Sequence, residues 1–260
     1  MRIFTKNELI TSLQDIRNRG FIPCRRIGNH GGIGNTLEDL LGIAENNLPI
    51  PNASEWELKT QRLNTTSLTT LFHLEPSPQA MKLVANQLLP MYGWPHNKAG
   101  TKYGEDEKSF RQTIHGNSRS DRGFKVVVDE NQRKILISFD VSAVSHRHRE
   151  WLRTVSERVG LGELQPQPYW GFDDLFHKAG TKLLNCFYVQ AQVKKIDNHE
   201  HYHYKKITML RKFNLDNFIE GIKEGFILVD FDARTGHNHG TKFRLRQNFF
   251  PRLYEEVVEI

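Results

Sequence analysis

Two stretches of alternating apolar and polar residues lie on either side of a short polar segment. They occupy residues 124–128 and 134–139, and the sequence DENQR separates them. Successive side chains of a β-strand point to opposite faces, so this pattern predicts a β-hairpin with one buried face and one face in water. The rest of the chain must supply helices or further strands to cover the buried face.

Helical patterns are interspersed with the predicted strands. Thr5 and Glu8 have the spacing of a capping box, and an apolar stripe that includes Leu9, Leu13 and Ile16 follows them. Other helices are predicted at 36–41 after a cap at Asn35 or Thr36, and at 77–89, 146–159 and 215–222. Further strands are predicted at 56–59, 68–74 (as the neighbour of 56–59), 183–194, 202–210, 226–231 and 242–246, and a surface loop at 92–122. This order predicts a mixed α/β (α+β) fold, with a single domain over residues 1–260 divided into two lobes.

The composition excludes several classes of protein. No run of residues approaches the roughly 18 consecutive apolar residues of a membrane helix, and the first ten residues lack the apolar stretch of a secretory signal. Cys24 and Cys186 are too few for a disulfide framework, so we expect a cytoplasmic protein with no membrane association. The 36 Lys and Arg against 30 Asp and Glu give a net charge of +6, which is compatible with nucleic acid as a partner.

The segment PNASEWELK, residues 51–59, carries the first candidate site. On a strand, Glu57 and Lys59 share one face, and Trp56 and Leu58 point the other way into the core. A carboxylate next to a lysine suits metal-dependent phosphodiester hydrolysis, because carboxylate oxygens bind Mg²⁺ and the ammonium can orient the attacking water. Glu-x-Lys is also common on solvated surfaces, so the motif alone leaves both interpretations open.

A second carboxylate occurs on the helix that precedes this segment. Leu37, Leu40 and Leu41 form its apolar side, so either Glu38 or Asp39 could face a cleft. Ordinary charge on a helix surface is the alternative interpretation.

A basic segment near the end of the chain is the second candidate site. Lys242, Arg244 and Arg246 alternate along a predicted strand and therefore share a face, with Phe243 and Leu245 behind them. Arginine makes bidentate hydrogen bonds to guanine O6 and N7, and histidine can donate to the same edge. Six residues within a stretch of thirteen are thus candidates for DNA contact, with a solvated basic strand as the alternative: Arg234, His237, His239, Lys242, Arg244 and Arg246.

Taken together, these segments resemble a known family. GIGNTLEDLLG followed by PNASEWELK is similar to the MvaI/BcnI restriction endonucleases, which are similar in turn to the mismatch-repair nicking endonuclease MutH. The segment FDARTGHNHGTKFRLR, residues 231–246, resembles the recognition segment of the MvaI type. The resemblance implies a PD-(D/E)xK core with a catalytic lobe, mainly 1–95, and a DNA-recognition lobe, mainly 96–260, that form a cleft.

The resemblance also implies an activity and roles for individual residues. It implies a Mg²⁺-dependent Type II restriction enzyme for double-stranded DNA, monomeric and without a required protein partner. The implied target is related to CCNGG, with its strands cut one at a time. Glu57, Lys59 and Glu38 would be catalytic, and Asn52, Glu57 and the main-chain carbonyl of Leu58 would hold the metal. The six basic residues would contact DNA, and His237, His239 and Arg244 among them would recognise G·C pairs from the major groove.

One position departs from the family pattern. The metal-binding aspartate expected five residues before the glutamate is Asn52 in this chain. An amide oxygen can bind Mg²⁺ but contributes no charge, so we expect weaker metal binding unless a neighbour such as Glu55 compensates. Two alternatives therefore stay open: a MutH-like nicking endonuclease of DNA repair, and a DNA-binding protein with an impaired nuclease site.

Overall fold

The computed structural model describes residues 4–26, 32–43 and 55–260. Its α-helices are α1 (Lys6–Asn18), α2 (Gly32–Leu41), α3 (Leu89–Tyr92), α4 (Arg149–Val159), α5 (Phe172–Leu183) and α6 (Leu215–Glu224). Its strands are β1 (Ile22–Pro23), β2 (Glu57–Arg62), β3 (Leu68–His73), β4 (Trp94–Pro95), β5 (Lys108–Ile114), β6 (Arg122–Asp129), β7 (Lys134–Val144), β8 (Tyr169–Gly171), β9 (Asn185–Ile196), β10 (His199–Phe213), β11 (Ile227–Arg234), β12 (His237–Asn238), β13 (Lys242–Arg246) and β14 (Tyr254–Glu259). None of the helices in this described part is both long enough and apolar enough to cross a membrane.

The chain divides into two compact units, and each is assembled from segments that are distant in sequence. Unit 1 consists of Met1–Thr69, His177–Asn214 and Gln247–Ile260, and unit 2 of Thr70–Phe176 and Leu215–Arg246. Each unit contains residues from both sides of position 95, and the catalytic and recognition lobes that the resemblance implies stay a prediction. The segments that supply β9, β10 and β14 belong with β2 in unit 1.

The sheet of unit 1 has the order β1-β10-β9-β2, with β14 also paired to β10. β2 runs parallel to β9 and ends this order, with Glu57 opposite Cys186 and Arg62 opposite Ala191. The other pairs of the sheet are antiparallel. A parallel neighbour requires a long connection, and the chain between β2 and β9 includes most of unit 2.

The core of unit 1 lies between this sheet and the first two helices. Thr5 caps α1 in the predicted capping box with Glu8, and the apolar stripe of α1 is buried together with Leu37 of α2. The Tyr204 hydroxyl donates a 2.8 Å hydrogen bond to the carbonyl of Ile33, which fixes the first turn of α2 to β10. This core holds β2 by its apolar face, and Trp56 packs on Phe187 with ring centroids 4.7 Å apart.

Unit 2 contains two sheets. The larger has the order β3-β13-β11-β5-β4, with β12 paired to β11, and the smaller has the order β6-β7-β8. Aromatic rings fill the core of unit 2, including those of Phe110, Phe231 and Phe243. The hairpin predicted from the alternation is confirmed as β6 and β7, with Asp129 opposite Lys134.

The structure corrects two predictions about strands. Residues 68–73 do form a strand, but β3 pairs with β13 in unit 2 and the neighbour of β2 is β9. Residues 92–122, predicted to be a loop, contain β5, which lies between β4 and β11. β5 forms because Phe110 and Ile114 are fully buried, and this burial outweighs the polar residues around them.

Two predictions about helices also need correction. The helix predicted at 77–89 is a short helical turn at Gln79–Met81 followed by a separate helical stretch at 84–92. α2 begins at Gly32, so Asn35 and Thr36 lie inside the helix, and the Thr36 hydroxyl accepts a hydrogen bond from the main-chain N–H of Arg25.

Candidate active site

The side chains of Glu57 and Lys59 form an ion pair on β2. The Lys59 Nζ lies 2.9 Å from Glu57 Oε1, and the Glu57 side chain is only 4% exposed. Trp56 and Leu58 are buried in the core of unit 1, as the alternation along the strand predicts. The core thus fixes the backbone of β2 and directs the carboxylate and the ammonium together to the other face.

A second lysine, which the sequence analysis missed, approaches the same carboxylate. The Lys182 Nζ lies 3.8 Å from Glu57 Oε1. Lys182 is in the last turn of α5, and β9 begins at Asn185 with Cys186 directly opposite Glu57. Nothing in the sequence near Lys182 indicates this contact. The contact follows from the parallel pairing of β2 with β9, which brings the end of α5 next to Glu57.

One oxygen of the Glu57 carboxylate is unsatisfied in the described part of the chain. Among the described residues, buried Glu57 Oε2 accepts no hydrogen bond. A buried carboxylate oxygen left in this state is costly, and it is the hard oxygen ligand that Mg²⁺ prefers. No group of three His, Cys, Asp or Glu side chains that could hold a metal occurs in the described part of the chain. A divalent cation fits at Glu57 if main-chain, amide or water oxygens complete its ligands.

Two buried groups beside Glu57 remain neutral. Burial, reinforced by the negative charge of Glu57, raises the pKa of the Cys186 thiol. Burial and the neighbouring Cys186 raise the pKa of the Tyr254 hydroxyl, with a smaller effect of Glu57. Neither group therefore adds a charge beside the Glu57 carboxylate and the two lysines.

Helix α2 packs closely on β2. A Cβ added at Gly34 would lie 3.1 Å from the Thr60 hydroxyl oxygen, so the helix approaches the strand through a residue that has no side chain. Half-buried Glu38 follows Gly34 by one turn and lies on the same side of α2. Asp39 is held elsewhere by Arg26 at 2.8 Å, and this guanidinium lowers the pKa of Asp39. Of the two carboxylates, Glu38 is therefore the candidate for the site.

The predicted metal ligands are only partly described. Leu58 lies between Glu57 and Lys59 on β2, whereas Asn52 lies outside the described residues. Glu55 is exposed in a turn, two residues before β2 begins. The regular strand that would have put Glu55 on the face of Glu57 therefore does not extend that far.

The basic segment forms strands β11, β12 and β13 of unit 2. Phe243 and Leu245 are fully buried, and Lys242, Arg244 and Arg246 project from the other face of β13, as predicted. His237 and His239 are exposed next to a turn, with ring centroids 4.2 Å apart. Each predicted DNA-contact residue is therefore accessible to some degree.

Three of these basic residues are already paired with acidic side chains. The shortest N–O distance is 3.4 Å between Lys242 and Asp232 and 3.2 Å between Arg244 and Asp230. Arg234 lies 3.0 Å from Glu107 and over the ring of Tyr103. The sequence analysis missed Asp230 and Asp232. Their alternate positions in the apolar strand ILVDFDAR were the signal that could have identified them.

Comparison with known proteins gives consistent results. A family model described as the MvaI/BcnI restriction endonuclease family matches residues 10–254. The solved structure "Restriction endonuclease MvaI-cognate DNA substrate complex" has a TM-score of 0.75 at 24% identity, covering 98% of this chain and 99% of that one. "Restriction endonuclease MvaI in the absence of DNA" has a TM-score of 0.56 at 23% identity, with both chains fully covered. Comparison with curated protein sequences gives no match.

The two structural similarities establish the fold, which is the mixed α/β fold expected from the sequence. The family model covers nearly the whole chain and establishes the class of enzyme, a site-specific DNA endonuclease of Type II. This protein belongs to the MvaI/BcnI restriction endonuclease family.

Proposed function

We propose that this protein is a Mg²⁺-dependent restriction endonuclease that cuts duplex DNA at a short G·C-rich site related to CCNGG, one strand at a time. The observation that carries this proposal is the buried carboxylate of Glu57, with Lys59 at 2.9 Å and one oxygen that has no partner among the described residues. A surface ion pair would not bury its carboxylate and leave half of it unsatisfied.

The proposed mechanism assigns a role to each residue of the site. Glu57, the carbonyl of Leu58 and Asn52 would hold the metal, which supplies a Lewis acid at the scissile phosphate when bound. The Lys59 ammonium, held by Glu57, orients the attacking water. Glu38 organises the site from α2.

The recognition role rests on the chemistry of the basic segment. Arginine guanidinium groups match the O6 and N7 acceptors of guanine, and imidazoles can donate to the same edge. Exposed His237 and His239, together with Arg244, are therefore proposed to recognise G·C pairs. One chain carries both the catalytic and the recognition residues, which favours a monomer that needs no protein partner. A cytoplasmic location stays a prediction.

A cleavage assay tests the proposed function. The purified protein is incubated with phage and plasmid DNA, first in Mg²⁺ and then in Mn²⁺, and the products are separated on a gel. We expect discrete fragments whose sequenced ends share one short G·C-rich site. Intact DNA in both metals would contradict the proposal, and nicks that need an added repair protein and a hemimethylated site would favour a MutH-like role.

Asn52→Asp is expected to increase cleavage at limiting Mg²⁺ by about tenfold, because a second carboxylate strengthens binding of a hard divalent cation. The measurement is the initial cleavage rate over a Mg²⁺ titration. Asn64→Asp is the control, since it adds the same charge to an exposed residue of unit 1.

The Asn52→Asp variant also tests the second candidate function, which is suggested by the neutral amide at position 52. A wild-type protein that binds its site without cutting, together with an Asn52→Asp variant that cuts, would favour a DNA-binding protein with an impaired nuclease site. Equal Mg²⁺ dependence of the wild type, Asn52→Asp and Asn64→Asp would show that residue 52 is not a metal ligand.

A further inference from the structure

We propose that Lys182 is a second cation of the active centre and that it contacts the phosphate at which the DNA is cut. The inference rests on the proposed function, because it requires DNA to be bound at Glu57. It adds to that function a residue from α5 outside the Glu-x-Lys motif.

The geometry around Glu57 distinguishes the two lysines. Lys59 is within hydrogen-bonding distance of Glu57 Oε1 at 2.9 Å, whereas Lys182 stays at 3.8 Å. The Lys182 side chain is 27% exposed, compared with 15% for Lys59 and 4% for Glu57. Within the described residues, the Lys182 ammonium donates no hydrogen bond. The Lys182 ammonium therefore lies on the solvent side of the Glu57 carboxylate, where its N–H groups can donate to a ligand.

The Lys182 ammonium is more than the Glu57 carboxylate needs for charge balance. One lysine neutralises the Glu57 carboxylate, so the second leaves an excess of one positive charge among these three groups. A phosphodiester is the anion that the proposed reaction brings to this position. Negative charge builds up on its non-bridging oxygens in the transition state, and an ammonium fixed beside them stabilises that charge.

A purely structural role makes a different prediction. Lys182 is in the last turn of α5, where a cation interacts favourably with the carbonyl end of the helix. A lysine that served only this end and Glu57 would affect stability, but it would release no counterion when DNA binds. The salt dependence of DNA binding therefore separates the two roles.

The experiment compares Lys182→Gln with Lys212→Gln. Lys212 is a matched control because it also belongs to unit 1 and pairs with a glutamate, Glu256. The affinity of each variant for the cognate duplex is measured without divalent metal over a range of salt concentrations. Single-turnover cleavage in Mg²⁺ is measured separately. Lys182→Met, which keeps the aliphatic stem, serves if the glutamine variant does not fold.

For Lys182→Gln we expect log affinity to fall less steeply with log salt concentration, with a slope reduced in magnitude by about 0.9, the value for one phosphate contact. Cleavage should slow by about 10²-fold. Lys182→Arg should recover the slope, and Lys212→Gln should match the wild type. An unchanged slope would overturn the phosphate contact even if cleavage slowed. A wild type that cuts no DNA would contradict the proposed function, and the slope would still decide the role of Lys182.

Discussion

Glu57→Gln is expected to reduce DNA cleavage by about 10³-fold or more while the protein stays folded. The substitution keeps the size of the side chain and an oxygen that can accept from Lys59, but it removes the charge that would bind the metal. The amide nitrogen would replace an oxygen that has no partner within the described residues, so we expect the free energy of unfolding to fall by about 2 kcal/mol or less. The measurements are single-turnover cleavage in Mg²⁺ and the thermal unfolding midpoint.

Binding provides an independent measurement on the same variant. Removal of a negative charge beside bound DNA should leave affinity without metal equal or higher. Glu256→Gln is the matched control, because Glu256 also pairs with two basic residues, Arg211 and Lys212, but all three side chains are at least 34% exposed. A Glu57→Gln variant that cleaves at the rate of Glu256→Gln would exclude Glu57 from the active site.

Lys59→Ala is expected to have the second largest effect, a loss of about 10²–10⁴-fold in cleavage rate at saturating Mg²⁺. The ammonium is the group closest to Glu57, and its removal takes away the donor proposed to orient the water. Since Lys182 remains near Glu57, the carboxylate keeps one counter-charge and the fold should be retained.

Saturating metal is what makes this test specific. If Lys59 only adjusted metal affinity, excess Mg²⁺ would restore the rate of the alanine variant to that of the wild type. Lys212→Ala, which also removes a lysine from an ion pair with a glutamate, should cleave normally. An undiminished rate for Lys59→Ala would exclude a role for this residue in the reaction.

The Glu57 and Lys59 pair could be predicted from the sequence because strand alternation is a local rule. Two residues apart on a strand that has apolar neighbours, they had to share the face away from the core. The contact with Lys182 could not be predicted in this way. It depends on the parallel pairing of β2 with β9, and no local pattern specifies which distant strand a given strand joins.

Local patterns also failed where composition concealed a buried segment. Five of the seven residues of β5 are charged or polar, and the strand lies in a stretch rich in Lys and Gly, so the pattern predicts a loop there. The first turn of α2 lies before the helix predicted at 36–41, although Gly34 is the residue that allows the helix to approach Thr60. In both cases packing decided the structure against the local preference.

The aspartates that hold Lys242 and Arg244 on the sheet of unit 2 have a consequence for how the protein searches DNA. A cation already paired with a carboxylate gains less from a phosphate, since the old pair must be broken to make the new contact. The net charge of +6 therefore overstates the attraction to DNA of arbitrary sequence. Weak retention on such DNA shortens each encounter, so that the enzyme spends more of its time sampling new positions.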